Sequence, residues 1–165
     1  MAYLTQNQNQ TYMAPVLGQV DMAFQVNVKS CMIYISSSIG YLSAGSPVKL
    51  VPQAGKGQII VDGADGATDA PYYGVILYNP RKNLYAAGDM CEVGCAGTVV
   101  YLEAGAAVRR GDHVESAKAT STADPLVTTV ANGTDYELGL ALDQAAGAAE
   151  LFRVEIRPSD PALAY

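Results

Sequence analysis

The sequence predicts an all-β protein, a compact antiparallel β-barrel or β-sandwich preceded by an extended N-terminal arm. Three observations predict it. Short apolar or alternating runs recur along the chain; clusters of Gly, Pro, Asn and Asp separate them at regular intervals; and no stretch holds a helical period over three turns. At 165 residues, half of them apolar, the chain is long enough to bury one sizeable core.

The chain opens on QNQNQ, a low-complexity polar segment, followed by sparse apolar positions at Tyr12, Met13, Val16 and Leu17. In VDMAFQVNV the apolar residues Val20, Met22, Phe24, Val26 and Val28 alternate with Asp21, Ala23, Gln25 and Asn27, a period of two that predicts a strand with one apolar face. Within residues 1–48 only Asp21 and Lys29 are charged, and this shift in composition sets a boundary near Ser30. The expected organisation is an extended arm over residues 1–30, a barrel or sandwich over 31–158 and a short tail over 159–165.

From Cys31 the runs CMIYIS, PVKLV, GQIIV, YGVILY and MCEV each read as a strand, with SAGSP, QAGKG, DGADGATDAP, YNPRKN and AAGD between them as turns. GTVVYLE, HVESA, PLVTTVA, ELGLALD and ELFRVEIR continue the series, separated by EAGAA, RRGD, ADP, ANGTD and AAGAA. DQAAGAAE has the length of one helical turn, and its glycine weakens that. One weak local pattern occurs twice: SAGSPVKLV and EAGAAVRRGDHV both place Ala-Gly, two residues, then a valine entering an apolar or alternating run, as a duplicated hairpin or chance would produce.

The search for reactive chemistry returns little. His113 is the single histidine; it follows Asp112, and adjacent strand residues point to opposite faces, so Asp112 does not orient its imidazole. No G-x-S-x-G elbow, Walker A sequence or strand-to-helix G-x-G-x-x-G occurs. Asp62, Asp65 and Asp69 share a glycine-rich loop, but their spacing is not that of an EF-hand. Cys91 and Cys95 lie in one alternating run, where four strand residues span about 13 Å, whereas a disulfide needs Cα atoms within about 7 Å. With Cys31 and His113 at unrelated spacings, the three cysteines are expected to be buried, reduced and free of metal. In AGAAVRRGDHV, Val108 and Val114 are expected in the core, with Arg109, Arg110 and Asp112 near solvent. No catalytic residue, cofactor or metal is expected.

The net charge of −6 argues against a nucleic-acid partner, which needs a basic face to displace counterions. No apolar run reaches the roughly 20 residues that span a bilayer, and the N-terminus lacks the basic start and apolar stretch of a secretory signal. The expectations are therefore synthesis in a cytoplasm and no membrane partner. Eleven tyrosines and no tryptophan suit interfaces and strands more than a carbohydrate platform.

GSPVKLV, YGVILYNPRKNLYAAGDMCEV, GTVVYLEAGAAVRRGDHV and GLALDQAAGAAELFRVEIRP, in that order, resemble the small decoration or cement proteins of tailed-bacteriophage capsids over about residues 45–158. The resemblance implies a non-enzymatic virion protein, made in the host cytoplasm, that binds the outside of an assembled capsid and stabilises it. Its implied partners are the major capsid protein and two further copies of itself, as a homotrimer. An arm reaching over the capsid is usual in that group, which makes Tyr12, Met13, Val16, Leu17, Val20, Met22, Phe24, Val26 and Val28 the expected contact residues. One alternative is another phage β-barrel binding module, of a tail or for carbohydrate. The other is a trimeric jelly-roll nucleotide hydrolase, which DGADGATDAPYYG resembles but whose Arg-Ser-Gly element is missing.

Overall fold

Alternation along Val99–Ala104 sends Val100, Leu102 and Ala104 to one face, and all three are fully buried while Tyr101 and Glu103 are not. The computed structural model describes residues 14–35, 40–52, 59–63, 71–117, 126–130 and 136–159. In chain order the strands are β1 (Val28–Ile33), β2 (Leu42–Ser43), β3 (Pro47–Leu50), β4 (Ile60–Gly63), β5 (Tyr72–Ile76) and β6 (Leu84–Tyr85). They continue as β7 (Met90–Gly94), β8 (Val99–Ala104), β9 (His113–Ser116), β10 (Leu126–Thr129), β11 (Glu137–Ala141) and β12 (Leu151–Ser159). The protein is all-β, with no helix among the described residues.

The strands close into two barrels rather than one barrel or a sandwich. The first runs in the order β1-β4-β3-β5-β7 and the second β10-β8-β12-β11-β9, while β2 and β6 form a separate two-stranded ribbon. Neither barrel is wholly antiparallel: β1 with β4 and β10 with β8 are parallel pairs. Closure leaves side chains to fill each interior. Tyr72, Val75 and Leu77 of the first barrel and its exit pack into the cluster that holds Leu102, Phe152 and Ile156 of the second, so the barrels share a core. The hydroxyl of Tyr72 accepts a hydrogen bond from the Ser116 amide at 2.9 Å.

The two barrels are one design used twice. Taken in chain order, the five strands of each make the same pairings in the same senses. The registers coincide as well. Cys31 opposite Cys91 corresponds to Leu102 opposite Phe152, and Val48 opposite Gly74 corresponds to Val114 opposite Gly139. Leu50 opposite Val61 corresponds to Ser116 opposite Val127, and the parallel partners Ile33 and Val61 to Ala104 and Val127. Loop hydrogen bonds follow suit: Gly45 N to Ile76 O at 2.7 Å matches Gly111 N to Ala141 O at 2.8 Å. Gly88 N to Ile33 O matches Ala149 N to Ala104 O, both at 2.8 Å. The fold is thus duplicated, but the Ala-Gly pattern in the sequence does not trace it: Gly45 corresponds to Gly111, six residues beyond the Gly105 that the match selects, and Val48 to Val114 rather than Val108.

The equivalence exposes one local strain. Gly88 has φ +87°, a left-handed conformation that glycine adopts freely, and its counterpart Ala149 is the one non-glycine described residue with positive φ, at +65°. A left-handed alanine costs about 1–2 kcal/mol and glycine gives back about 0.5–1 in unfolded-chain entropy. Ala149→Gly is therefore expected to stabilise the protein by about 0.5–1 kcal/mol, or about 2 °C in Tm, in a thermal scan. An unchanged or lower Tm counts against the strain.

Candidate interaction surface

The N-terminal segment does not leave the barrels as a free extended arm. A turn at Val16–Gln19, closed by Gln19 N to Val16 O at 2.9 Å, brings Gly18 against the first barrel. Gly18 has φ +75°, and a Cβ there would lie 2.8 Å from Gly45 N, so this close approach requires glycine. Gly18–Asp21 then pairs antiparallel with β8: Gly18 N donates to Tyr101 O at 2.8 Å, Tyr101 N to Gln19 O at 2.9 Å and Asp21 N to Val99 O at 2.9 Å. Val20 lands on the second-barrel core.

Nor is the run from Val20 to Val28 a single strand. It makes a bridge at Val20, turns at Met22–Phe24 and becomes regular only at Val28, the start of β1. Asp21 is the cause. Its Oδ1 accepts from Ala23 N at 3.0 Å, an Asx turn that breaks the extended chain, and its Oδ2 takes Arg153 Nη1 at 3.2 Å. Arg153 also grips Asp143 through Nε to Oδ2 at 2.6 Å and Nη2 to Oδ1 at 2.8 Å, which holds the Asp143 carboxyl below its ordinary range. The turn is pinned at its base to β12.

Of the expected contact residues, Val20 and Val28 pack on the core and Leu17 is half-buried. Met22, Phe24 and Val26 are displayed on the pinned turn and the stretch after it, 79%, 43% and 39% exposed, and Val16 is exposed as well. Tyr12 and Met13 lie outside the described residues. The sequence pattern did not single out a further set: Tyr34, Tyr41, Leu50, Tyr78, Leu84 and Met90 are also exposed. Every large exposed hydrophobic among the described residues thus falls between Val16 and Met90, and the second barrel contributes none. Exposed apolar side chains that form one contiguous patch are the usual signature of a partner surface, whereas single scattered ones are ordinary.

His113 is exposed, with Nδ1 2.7 Å from Glu137 Oε1. Asp112 is occupied elsewhere, its Oδ2 accepting from Arg109 N at 2.7 Å to close the turn. Val108 and Val114 are buried and Arg109 and Arg110 exposed. The side chain of Asp62 and residues Asp65 and Asp69 are outside the described parts of the chain.

All three cysteines are free and line the first barrel. Cys31 stands opposite Cys91 across β1 and β7, a juxtaposition that sequence spacing does not reveal. Burial pushes the Cys31 thiol up to about 11 and the Cys91 thiol up to about 12, and raises Cys95 as well. Since the thiolate is the reactive form, a disulfide-exchange reagent at pH 8 is expected to label none of the three within minutes in the native protein and all three in urea. Rapid native labelling would show that the barrel opens.

The chain has a structural neighbour among solved structures. The N base of the head fibre protein gp8.5 of bacteriophage phi29 matches with a TM-score of 0.50 at 16% identity, over 81% of this chain and 95% of that one. At this identity the likeness is one of fold. No protein-family model matches the chain, and no curated protein does.

Proposed function

We propose that this protein is a non-enzymatic structural component of a phage head. It docks on the outside of the assembled capsid, against the major capsid protein, and stabilises the shell, acting as a homotrimer. The single observation that carries the reading is the confinement of exposed apolar side chains to residues 16–90, with Met22, Phe24 and Val26 on a turn pinned by Asp21 and Arg153. A pre-ordered apolar turn docks without the entropy cost of ordering a free arm. The fold shared with a phage head-fibre base supports the setting, and so do the turn and strand motifs that resemble capsid decoration proteins.

The test is co-sedimentation with phage heads stripped of this protein. Phe24→Asp is expected to fold as the parent does, because the ring already faces solvent, and to weaken head binding at least tenfold. Analytical ultracentrifugation is expected to give the mass of three chains. A parent protein that stays in the supernatant, or Phe24→Asp binding as the parent does, counts against the docking face; a monomeric mass counts against the trimer.

A further inference from the structure

The duplication makes one difference between the barrels informative. On β8, Val99 and Tyr101 direct their backbone groups away from β12, and Gly18–Asp21 fills that side. The corresponding residues of β1 are Val28 and Ser30, since Val28 pairs with Gly94 as Val99 pairs with Glu155. Asn27 and Ile33 bond on the β7 side, through Cys95 N to Asn27 O and Ile33 N to Asp89 O, both at 2.8 Å. By strand alternation Val28 and Ser30 point the other way. On that side β4 covers β1 only from Met32 onward, Met32 N donating to Ile59 O at 2.9 Å. Among the described residues none pairs with Val28–Ser30 there. The edge that is filled in the second barrel is left open by the described residues of the first.

We propose that Val28–Ser30 is a strand-acceptor slot, filled on attachment by an antiparallel extended segment of a partner protein that sets a carboxylate beside Lys29. The proposal rests on the capsid-docking reading and supplies its attachment chemistry. The geometry of the occupant is the one Gly18–Asp21 has on β8: an extended backbone that donates to and accepts from alternate residues of the edge. Its chemistry follows from the residue at the centre. Where the second barrel has Val100 facing Val20, the first has the exposed Lys29, which makes no ion pair among the described residues. An acidic side chain directly opposite is favourable, and a lysine there is not. That disfavours a second copy pairing β1 on β1, which sets Lys29 against Lys29; the second copy's own Gly18–Asp21 is already used on its β8. An antiparallel occupant runs from Ser30 towards Val28 and then meets the exposed Val26, so its C-terminal side is apolar.

Hydrogen exchange at single-residue resolution tests this on the full chain, free and bound to stripped phage heads. The Ser30 amide is expected to exchange at least 100-fold more slowly in the bound protein, while the Cys31 amide, which faces β7, is slow in both. Lys29→Glu is expected to weaken head binding at least tenfold. Lys29→Arg and the control Arg109→Glu on the second barrel are expected to bind as the parent does. Head-bound protein with an unprotected Ser30 amide, or Lys29→Glu binding at full strength, overturns the slot and leaves the docking reading standing. A parent protein that binds no heads overturns both. Protection of Ser30 that rises with protein concentration in the absence of heads assigns the slot to a second copy and overturns the partner named here.

Discussion

Gly139→Ala is expected to destabilise the protein by about 3 kcal/mol or more, a large part of the roughly 5–15 kcal/mol that holds a domain of ordinary stability. Gly139 lies on β11, where a Cβ would press into the carbonyl oxygen of Glu155 on β12 and come within 3.0 Å of Val154 Cγ1. The obstacle is backbone in the middle of a closed sheet, so no side chain can rotate aside to relieve it. Gly74 holds the same place in the first barrel, against the Gly94 carbonyl and 2.8 Å from Val93 Cγ1, and Gly74→Ala is expected to do equal harm. Gly147 is the control, because nothing lies within 4 Å of its Cβ position and its φ is not positive. In urea unfolding, Gly147→Ala should leave the midpoint in place while the other two lower it sharply. A common midpoint for all three removes the close-approach account.

The second large effect is Phe152→Ala, expected to cost about 3–5 kcal/mol. Phe152 is fully buried opposite Leu102 in the second barrel and belongs to the core that both barrels share. Its counterpart Cys91 is opposite Cys31 in the first barrel, where Tyr85, Ile33 and Ile76 supply the bulk. Cys91→Ala removes one sulfur atom and should cost about 1 kcal/mol, near the lower end of truncation effects. The asymmetry tests whether the duplicated barrels now divide their packing differently. Equal losses in thermal or urea unfolding would mean that the centre of the first barrel is as tightly filled around Cys91 as the second is around Phe152.

Strands were legible wherever one face meets a core and the other does not. Val99–Ala104 and Met90–Gly94 show that alternation outright, and their punctuation by glycine turns is equally plain. The closure into two barrels was not legible, because corresponding positions have diverged in kind: Lys29 answers to Val100, Cys31 to Leu102 and Cys91 to Phe152. What the repeats retain is geometric, the pairs Val48 with Val114, Gly74 with Gly139 and Val61 with Val127. Loops of unequal length between them shift the apparent alignment. The run from Val20 to Val28 misled for a different reason. In sequence, Asp21 is an outward polar residue of an amphipathic strand; in the fold it meets Arg153, 132 residues away, and its carboxylate bends the chain. The exposed Met22, Phe24 and Val26 were legible as a contact set. The open edge at Val28–Ser30 was not, since it is defined only by what covers the matching edge of β8.

The pairing of Gly18–Asp21 with Val99–Tyr101 also sets an order of events during synthesis. The strands of the first barrel are all made by Gly94, before β8 has left the ribosome, so that barrel has every ladder it needs while Gly18–Asp21, held there only through Tyr78 N to Gly18 O, still lacks its β8 partner. Contacts between residues so far apart in the chain carry a large loop-closure cost and form late. Gly18–Asp21 and the turn that follows it are therefore expected to be the last part of this pairing to settle. Only when Arg153 emerges and takes Asp21 is the apolar turn at Met22–Phe24 fixed in place. A nascent or truncated chain would then carry a finished first barrel without its fixed docking turn, so assembly onto a particle would wait for a complete molecule.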